Sequence, residues 1–216
     1  MQNIIIGLFG QAASGKDTVA AMIAPKLISY IDYDRPLITR VAFAANVKKI
    51  FCDYFGVDSA FIENWKRNPE PPPGFLMPVR QALQMIGDGF RKVKSSVWID
   101  KVLNKMENVV ITDGRYLNEA RAIKEKGGIV VLLDRPTHRN KDQNDSEKIM
   151  GEVTDYFANE GVDGVISDPN YPMFDYYLKN DGDIFSLEEK ISKQLIPFII
   201  EKFKLEQVLL VEKDKI

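Results

Sequence analysis

Gly10-Gln11-Ala12-Ala13-Ser14-Gly15-Lys16-Asp17-Thr18 sets two glycines five positions apart and follows the second with a lysine. The phosphates of a nucleotide carry several negative charges, and a loop that wraps them must turn its backbone N–H groups inward, which glycine permits. Lys16 supplies a point charge for the outer phosphates, and a helix opening at Gly15 would aim its partial positive end at the same anion. The apolar run Ile4-Ile5-Ile6-Gly7-Leu8-Phe9 before the loop reads as a strand. Val19, Met22, Ile23 and Leu27 after it have the spacing of a helix packed on a sheet. ATP is therefore the first ligand to expect, held by Gly10, Ala12, Ala13, Ser14, Gly15, Lys16, Asp17 and Thr18, with the Lys16 side chain solvent-facing until nucleotide arrives. The pattern wants Ser or Thr directly after the lysine to hold Mg²⁺. Here Asp17 stands at that position and the hydroxyl comes one residue later, in Thr18, so the metal ligand stays open between them.

Further along, Arg80, Gln84, Gly87 and Arg91 are spaced four, three and four apart, which puts them on one face of a helix running from Arg80 to Arg91. Ala82, Leu83, Met85, Ile86 and Phe90 fall on the other arc and are expected to pack. The polar stripe reads either as a solvated face or as a grip for a small anionic ligand with a hydrogen-bonding ring, since an arginine fork takes phosphate bidentately. Asn108-Val109-Val110-Ile111-Thr112-Asp113 carries a carboxylate to the carboxyl end of a buried strand, the edge that faces ligands in open parallel sheets. Asp113 could hold Mg²⁺, orient an attacking oxygen or cap the next helix, and Gly114 beside it allows a close backbone approach. Arg115 falls near a helix start, where a cation is unfavourable unless an anion lies close. Asn118 and Glu119 follow in the first turn. Asp134-Arg135-Pro136-Thr137-His138-Arg139-Asn140-Lys141 is polar and basic, and Arg135 and Arg139 are the candidates to neutralise a migrating phosphoryl group from a lid. His138 is a lone loop histidine without metal-ligand spacing. Asn140-Lys141-Asp142-Gln143 misses the guanine-reading pattern at its last position.

Positioning these groups requires a sheet, and five short apolar runs supply one: residues 3–9, 37–43, 108–112, 129–134 and 174–179, mostly separated by helical patterns. Such alternation favours a parallel sheet covered on both faces, a three-layer α/β fold. Prolines from Lys66 to Pro78 preclude regular structure and predict an exposed loop. Ser186 is placed to cap a helix carrying Leu187, Ile191, Leu195 and Ile199, and residues 205–216 read as peripheral. With 216 residues, 45% of them hydrophobic, one core and one domain are expected; a net charge of −2 offers no field for a nucleic-acid polymer. Cys52, the sole cysteine, fits a reducing compartment and a packing role. No apolar stretch suggests a membrane span and no basic leader precedes the first run, so a cytoplasmic protein is expected.

Ser14-Gly15-Lys16-Asp17-Thr18, then Arg80-Gln81-Ala82-Leu83-Gln84-Met85-Ile86-Gly87 with Arg91 and Trp98, then Asp113-Gly114-Arg115-Tyr116-Leu117-Asn118-Glu119-Ala120, together resemble the deoxynucleoside monophosphate kinases of large bacteriophages. Asp142, Ser146 and Glu147, and Asn180-Asp181-Gly182, also fit. Two departures stand out: Asn144 replaces a histidine of the lid pattern, and Gly161 to Pro172 looks like an insertion. The resemblance implies one P-loop kinase domain over 1–216 with a five-stranded parallel sheet, a helical substrate-binding segment at 44–106 and a lid region at 135–172. It also implies homodimers and, for a viral protein, the host cytoplasm.

The activity so implied is transfer of the γ-phosphoryl group of ATP, with Mg²⁺, to a deoxynucleoside 5′-monophosphate. Lys16, Asp113, Arg115 and Arg135 would serve the transfer, and Arg135 and Arg139 would join the loop in binding ATP. Arg80, Gln84, Arg91, Trp98, Asp113, Arg115, Asn118 and Glu119 would bind the acceptor, and Asp17, Thr18 and Asp113 the metal. Two alternatives stay open: a kinase of another phosphorylated small molecule, such as dephospho-coenzyme A, and an ATP-dependent switch without an acceptor.

Overall fold

The computed structural model describes residues 3–31, 36–104, 108–138 and 145–207. The chain divides into two compact units, one formed by Met1–Val41 with Met106–Ile216 and the other by Ala42–Lys105.

The first unit is built on a six-stranded sheet in the order β2-β3-β1-β4-β6-β5. Its strands are β1 (Ile5–Phe9), β2 (Thr39–Val41), β3 (Val109–Gly114), β4 (Ile129–Asp134), β5 (Gly164–Val165) and β6 (Tyr176–Lys179). All pairings are parallel except β5 with β6. β1 lies at the centre, with Ile6 opposite Val110 on one side and Ile129 on the other, and every residue of β1 and β4 is buried. Strands covered on both faces read as unbroken apolar runs, which is why the sequence marks them so clearly. The expected five strands become six because Gly164–Val165 adds an antiparallel edge. Two residues inside a Gly- and Pro-containing segment leave no periodic signal. The expected strand at 37–43 shrinks to three residues at the opposite, exposed edge.

One face carries α1 (Lys16–Leu27) and the run α8 (Ile184–Lys190) to α9 (Ile196–Phe203), joined by one π-helical segment, Ile191–Leu195. Ile6, Leu8, Val131, Leu133 and Leu178 of the sheet pack there with Val19, Ile23, Leu27, Ile191 and Ile199. α6 (Leu117–Glu125) and α7 (Asp145–Asn159) carry the buried residues Ile123, Met150, Val153 and Phe157, and both pack on β4. Three layers result, as the alternation predicts. Much of the region expected as a lid, 135–172, is thus α7, a core helix. Leu205, expected to be peripheral, packs partly on the core. Asp183, rather than Ser186, caps α8: its carboxylate accepts the Ser186 N–H at 2.8 Å. Among the described residues no helix is long and apolar enough to cross a membrane.

Buried Asn108 ties three strands together. Its Oδ1 accepts the Ile4 N–H at 3.0 Å, its Nδ2 donates to Pro36 O at 2.8 Å, and its own carbonyl accepts the Thr39 N–H at 2.9 Å. Asn108→Ala strands a buried donor and an acceptor, which costs about 2 kcal/mol or more. A melting-temperature loss of roughly 4–8 °C follows. Calorimetry that finds a fall under about 2 °C would show the clamp to be dispensable.

The second unit is helical: α2 (Ala45–Phe55), α3 (Ser59–Trp65), α4 (Val79–Val93) and α5 (Val97–Leu103). Phe51, Ile62, Val79 and Ala82 form its core, with half-buried Cys52 packed against it. The proline-rich stretch before α4 has no helix or strand, as expected, yet it is not simply exposed. Pro72 is buried, and the Phe75 ring stacks on Phe51 at 5.9 Å and lies 5.4 Å from Phe61. An aromatic side chain in a loop finds more apolar partners inside than the prolines around it suggest.

Candidate active site

The loop between β1 and α1 has the backbone that its glycines foretell. Gly10 has φ 138° and Gly15 φ 102°, with Ala13 also left-handed at 63°. A side chain on Gly10 would place its Cβ 2.3 Å from Leu133 O in β4, and one on Gly15 would lie 2.7 Å from Asn180 Nδ2. Successive left-handed and right-handed residues turn N–H groups into a concave anion cradle. α1 begins at Lys16 with no side chain capping it, so its first-turn N–H groups point toward the same place.

Lys16 is buried, at 7% exposure, and not solvent-facing as the sequence suggests. Its Nζ donates to Gly10 O and Gln11 O, each at 2.7 Å, and to Ser14 Oγ at 3.2 Å. Folding the ammonium back over its own loop satisfies its donors. Burial, and then the charge of Arg115, push it from its ordinary 10.5 down to about 8, against the opposing pull of Glu147, Asp113 and Asp17.

Two side chains from distant positions shape this loop. Asn180, one residue beyond β6, donates from Nδ2 to Ser14 O at 3.0 Å, while its backbone N–H reaches Asp134 O at 2.7 Å. The sequence marks Asn180-Asp181-Gly182 as a turn that fits the resemblance, with no role at the loop. Glu147, in the first turn of α7, accepts the Ala12 N–H on Oε2 at 2.9 Å and pairs through Oε1 with Arg115 Nη1. Its backbone carbonyl accepts from Gln11 Nε2 at 3.1 Å. An acid at a helix start reads locally as a complement to the dipole, which hides its reach to the loop.

Arg115 follows β3 directly, and the anion its helix-start position demands is the Glu147 carboxylate. Asp113, half-buried near the end of β3, lies close enough for its charge to act on Lys16. Gly114 leaves room for the Phe9 ring: a Cβ there would meet Phe9 at 2.4 Å. Glu119, expected to bind the acceptor, is buried at 3%, and its Oε2 accepts the N–H groups of Arg115 at 2.9 Å and Tyr116 at 3.1 Å. It serves the helix cap, where the first backbone donors lack intrahelical acceptors. Asn118 is exposed. Arg135 is half-buried just past β4, and His138 is exposed. Arg139, the other arginine expected on the lid, lies outside the described residues, as do Asp142, Asn144 and the stretch Asn140 to Gln143. A cavity of 360 Å³ opens by the carboxyl ends of β4 and β6, lined in part by Asp134, Pro136, Tyr177, Lys179 and Asp181.

Within the helical unit, Arg80 and Gln84 are exposed on α4, and Arg91 pairs with Asp88 at 3.0 Å. Gly87, expected on the same stripe, is buried, and its carbonyl accepts the Trp98 indole N–H at 3.1 Å. Trp98 is itself buried at 2%, so this expected acceptor ligand is a packing residue whose polar atom is already used. Position 87 sits on the flank between the two arcs, and the absence of a side chain there lets the helix turn that flank inward. Met85 and Phe90, expected inside, are 57% and 44% exposed.

Among the described residues no group of three or more His, Cys, Asp or Glu could hold a metal ion. Mg²⁺ in nucleotide sites needs less, because it keeps waters and leans on substrate phosphates, taking one or two protein oxygens. Asp17, exposed, and Thr18, half-buried, stand in the first turn of α1, and Asp113, half-buried, near the end of β3; each carries the kind of oxygen donor that requirement takes.

No known family profile matches the chain. A protein of Acanthamoeba polyphaga mimivirus named "Putative deoxynucleotide monophosphate kinase" is 28% identical over 173 residues, covering 71% of this chain and 85% of the relative. Among solved structures, a shikimate kinase from Acinetobacter baumannii in complex with shikimate overlaps 94% of this chain and 96% of its own, at 19% identity and a TM-score of 0.48. A sugar kinase from Janibacter sp. overlaps 91% and 98%, at 12% identity and a TM-score of 0.36. These two scores are too low to carry an argument about this chain.

Proposed function

We propose that this protein transfers the γ-phosphoryl group of ATP to a deoxynucleoside 5′-monophosphate, giving ADP and a deoxynucleoside diphosphate. The observation that carries the proposal is the meeting of two cations at the phosphate loop: Lys16, whose Nζ lies on Gly10 O and Gln11 O, and Arg115, just past β3, held by the Glu147 carboxylate whose other oxygen accepts the Ala12 N–H of the same loop. A reaction between two anions needs both, one for the migrating phosphoryl and one for the acceptor phosphate. The mimivirus relative's name supports the choice of acceptor.

The loop N–H groups and Lys16 bind the outer phosphates of ATP. On arrival of the anion, the Lys16 ammonium leaves its bonds to Gly10 O and Gln11 O for phosphate oxygens. The nucleoside of ATP finds room in the cavity by Asp134 and Asp181, next to Asn180, which anchors the loop. Arg115 holds the acceptor phosphate, and Asp113, near the end of β3, orients the attacking oxygen of that phosphate. Asp17, Thr18 and Asp113 are the oxygens available to Mg²⁺, which when bound neutralises charge on the β- and γ-phosphates. Arg80, Gln84 and Arg91 are assigned to the acceptor nucleoside, with Gln84 reading the base. Arg135 and Arg139 add charge at the transferred group.

Chromatography of the protein incubated with Mg-ATP and each deoxynucleoside monophosphate in turn tests this, with Lys16→Ala as the blank. New diphosphate matched by ADP supports the proposal, and ADP alone points to a switch that hydrolyses ATP. With Arg115→Ala, KM for the acceptor rises by about tenfold or more while KM for ATP changes little. Steady-state kinetics giving equal losses for both substrates would make Arg115 a structural residue.

A further inference from the structure

We infer that Glu147 is a positioning residue: its carboxylate ties the Ala12 N–H of the phosphate loop to Arg115 and so sets the direction in which Arg115 offers its remaining N–H groups to an anion. This rests on the proposed role of Arg115 as a phosphate ligand.

The Glu147 side chain is fully buried, while that of Arg115 keeps 31% exposure. One oxygen takes the loop amide at 2.9 Å and the other takes Nη1 of Arg115, so a single carboxylate spans the two. Among the described residues the Arg115 guanidinium bonds through Nη1 alone, leaving Nη2 and Nε, the geometry for gripping a second anion with two parallel bonds.

Glu147 is itself held firmly. Met150, Val153 and Phe157 anchor α7 in the core, and the Glu147 carbonyl takes Gln11 Nε2, a second tie between the helix and the loop. Separating a fully buried carboxylate from the cation it is hydrogen-bonded to is costly. The bond to Arg115 therefore persists when ligand binds, and the residue positions the arginine instead of competing for it.

The probe is inorganic phosphate, titrated by ³¹P NMR into protein saturated with Mg-ADP, in the wild type, Glu147→Gln, Arg115→Ala and the double variant. Glutamine matches the size and can still accept from Ala12, but it loses the charge and turns N–H donors toward Arg115. Phosphate affinity, read with Mg-ADP held at saturation for each variant because Glu147 also accepts the Ala12 N–H, is expected to fall about tenfold in Glu147→Gln. In the Arg115→Ala background the same change should cost nothing further, because its effect runs through the arginine.

An undiminished loss in that background, or wild-type phosphate affinity in Glu147→Gln, overturns the inference. So does a wild type that binds no phosphate beside Mg-ADP. Should Glu147→Gln melt below the assay temperature, Glu147→Asp takes its place: one methylene too short to span both partners, it is expected to weaken phosphate in the same way. Turnover of deoxynucleoside monophosphates is measured separately. No turnover alongside an intact cycle removes the proposed reaction and leaves this role of Glu147 standing.

Discussion

Lys16→Ala is expected to lower kcat by about 10²–10³-fold, the cost of removing one preorganised donor from a developing charge. The fold should survive, since the side chain bonds only its own loop and its burial as a cation is unfavourable. The pH dependence follows from the same burial. With a native pKa of about 8 against an ordinary 10.5, the penalty for holding the charged form is full below pH 8 and is relieved as the pH rises toward 10.5. Wild-type stability should therefore gain from this residue across that window, and Lys16→Ala should abolish the gain. Phosphate needs the charged form, so ATP binding above pH 8 takes up a proton. Calorimetry in buffers of differing ionisation enthalpy measures that uptake. Near-normal kcat in Lys16→Ala, or proton uptake that persists without Lys16, would defeat the assignment.

Gly10→Ala should be more damaging to the fold than any change in the loop's side chains. The new Cβ would sit 2.3 Å from Leu133 O, a backbone atom in the buried centre of the sheet, and φ 138° strains any residue with a side chain. Relief requires the loop to move off β4, which opens the anion cradle. A loss of about 3 kcal/mol or more is expected, together with loss of ATP binding. On this scale the melting temperature falls by roughly 6–12 °C. Thermal melts with and without Mg-ATP check both: a variant that keeps its melting temperature and the ligand-induced rise would show that the close approach is not needed.

The phosphate loop was legible because all its information is contiguous. Two glycines, a lysine, a β-branched run before and an apolar helical pattern after lie within one stretch, and local backbone geometry needs nothing else. The central strands were equally plain, since burial on both faces writes an unbroken apolar run. The edge strand Gly164–Val165 was not, because two residues have no period. Position 87 misled for a related reason: helical spacing assigns an angle, but which flank turns inward depends on what the neighbouring element brings, here the Trp98 indole.

The resemblance covers the side chains that finish the site, but what they touch was hidden by distance along the chain. Glu147 lies 135 positions from the Ala12 amide it accepts, and Asn180 lies 166 from the Ser14 carbonyl it holds. Each looks locally like an ordinary helix start or turn. Glu119 shows the converse, an acid that looked like a ligand and is spent on two backbone amides.

By itself, then, the sequence determined the three-layer α/β class, the positions of its main strands along the chain and the conformation of the loop that can cradle phosphate, because periodicity and glycine act over a few residues. Only the tertiary structure decided that Lys16 lies buried, that Arg115 answers to Glu147, and that Trp98 and Glu119 are already engaged. A buried polar group takes whichever partner the packing of distant elements delivers, and no local pattern encodes that delivery.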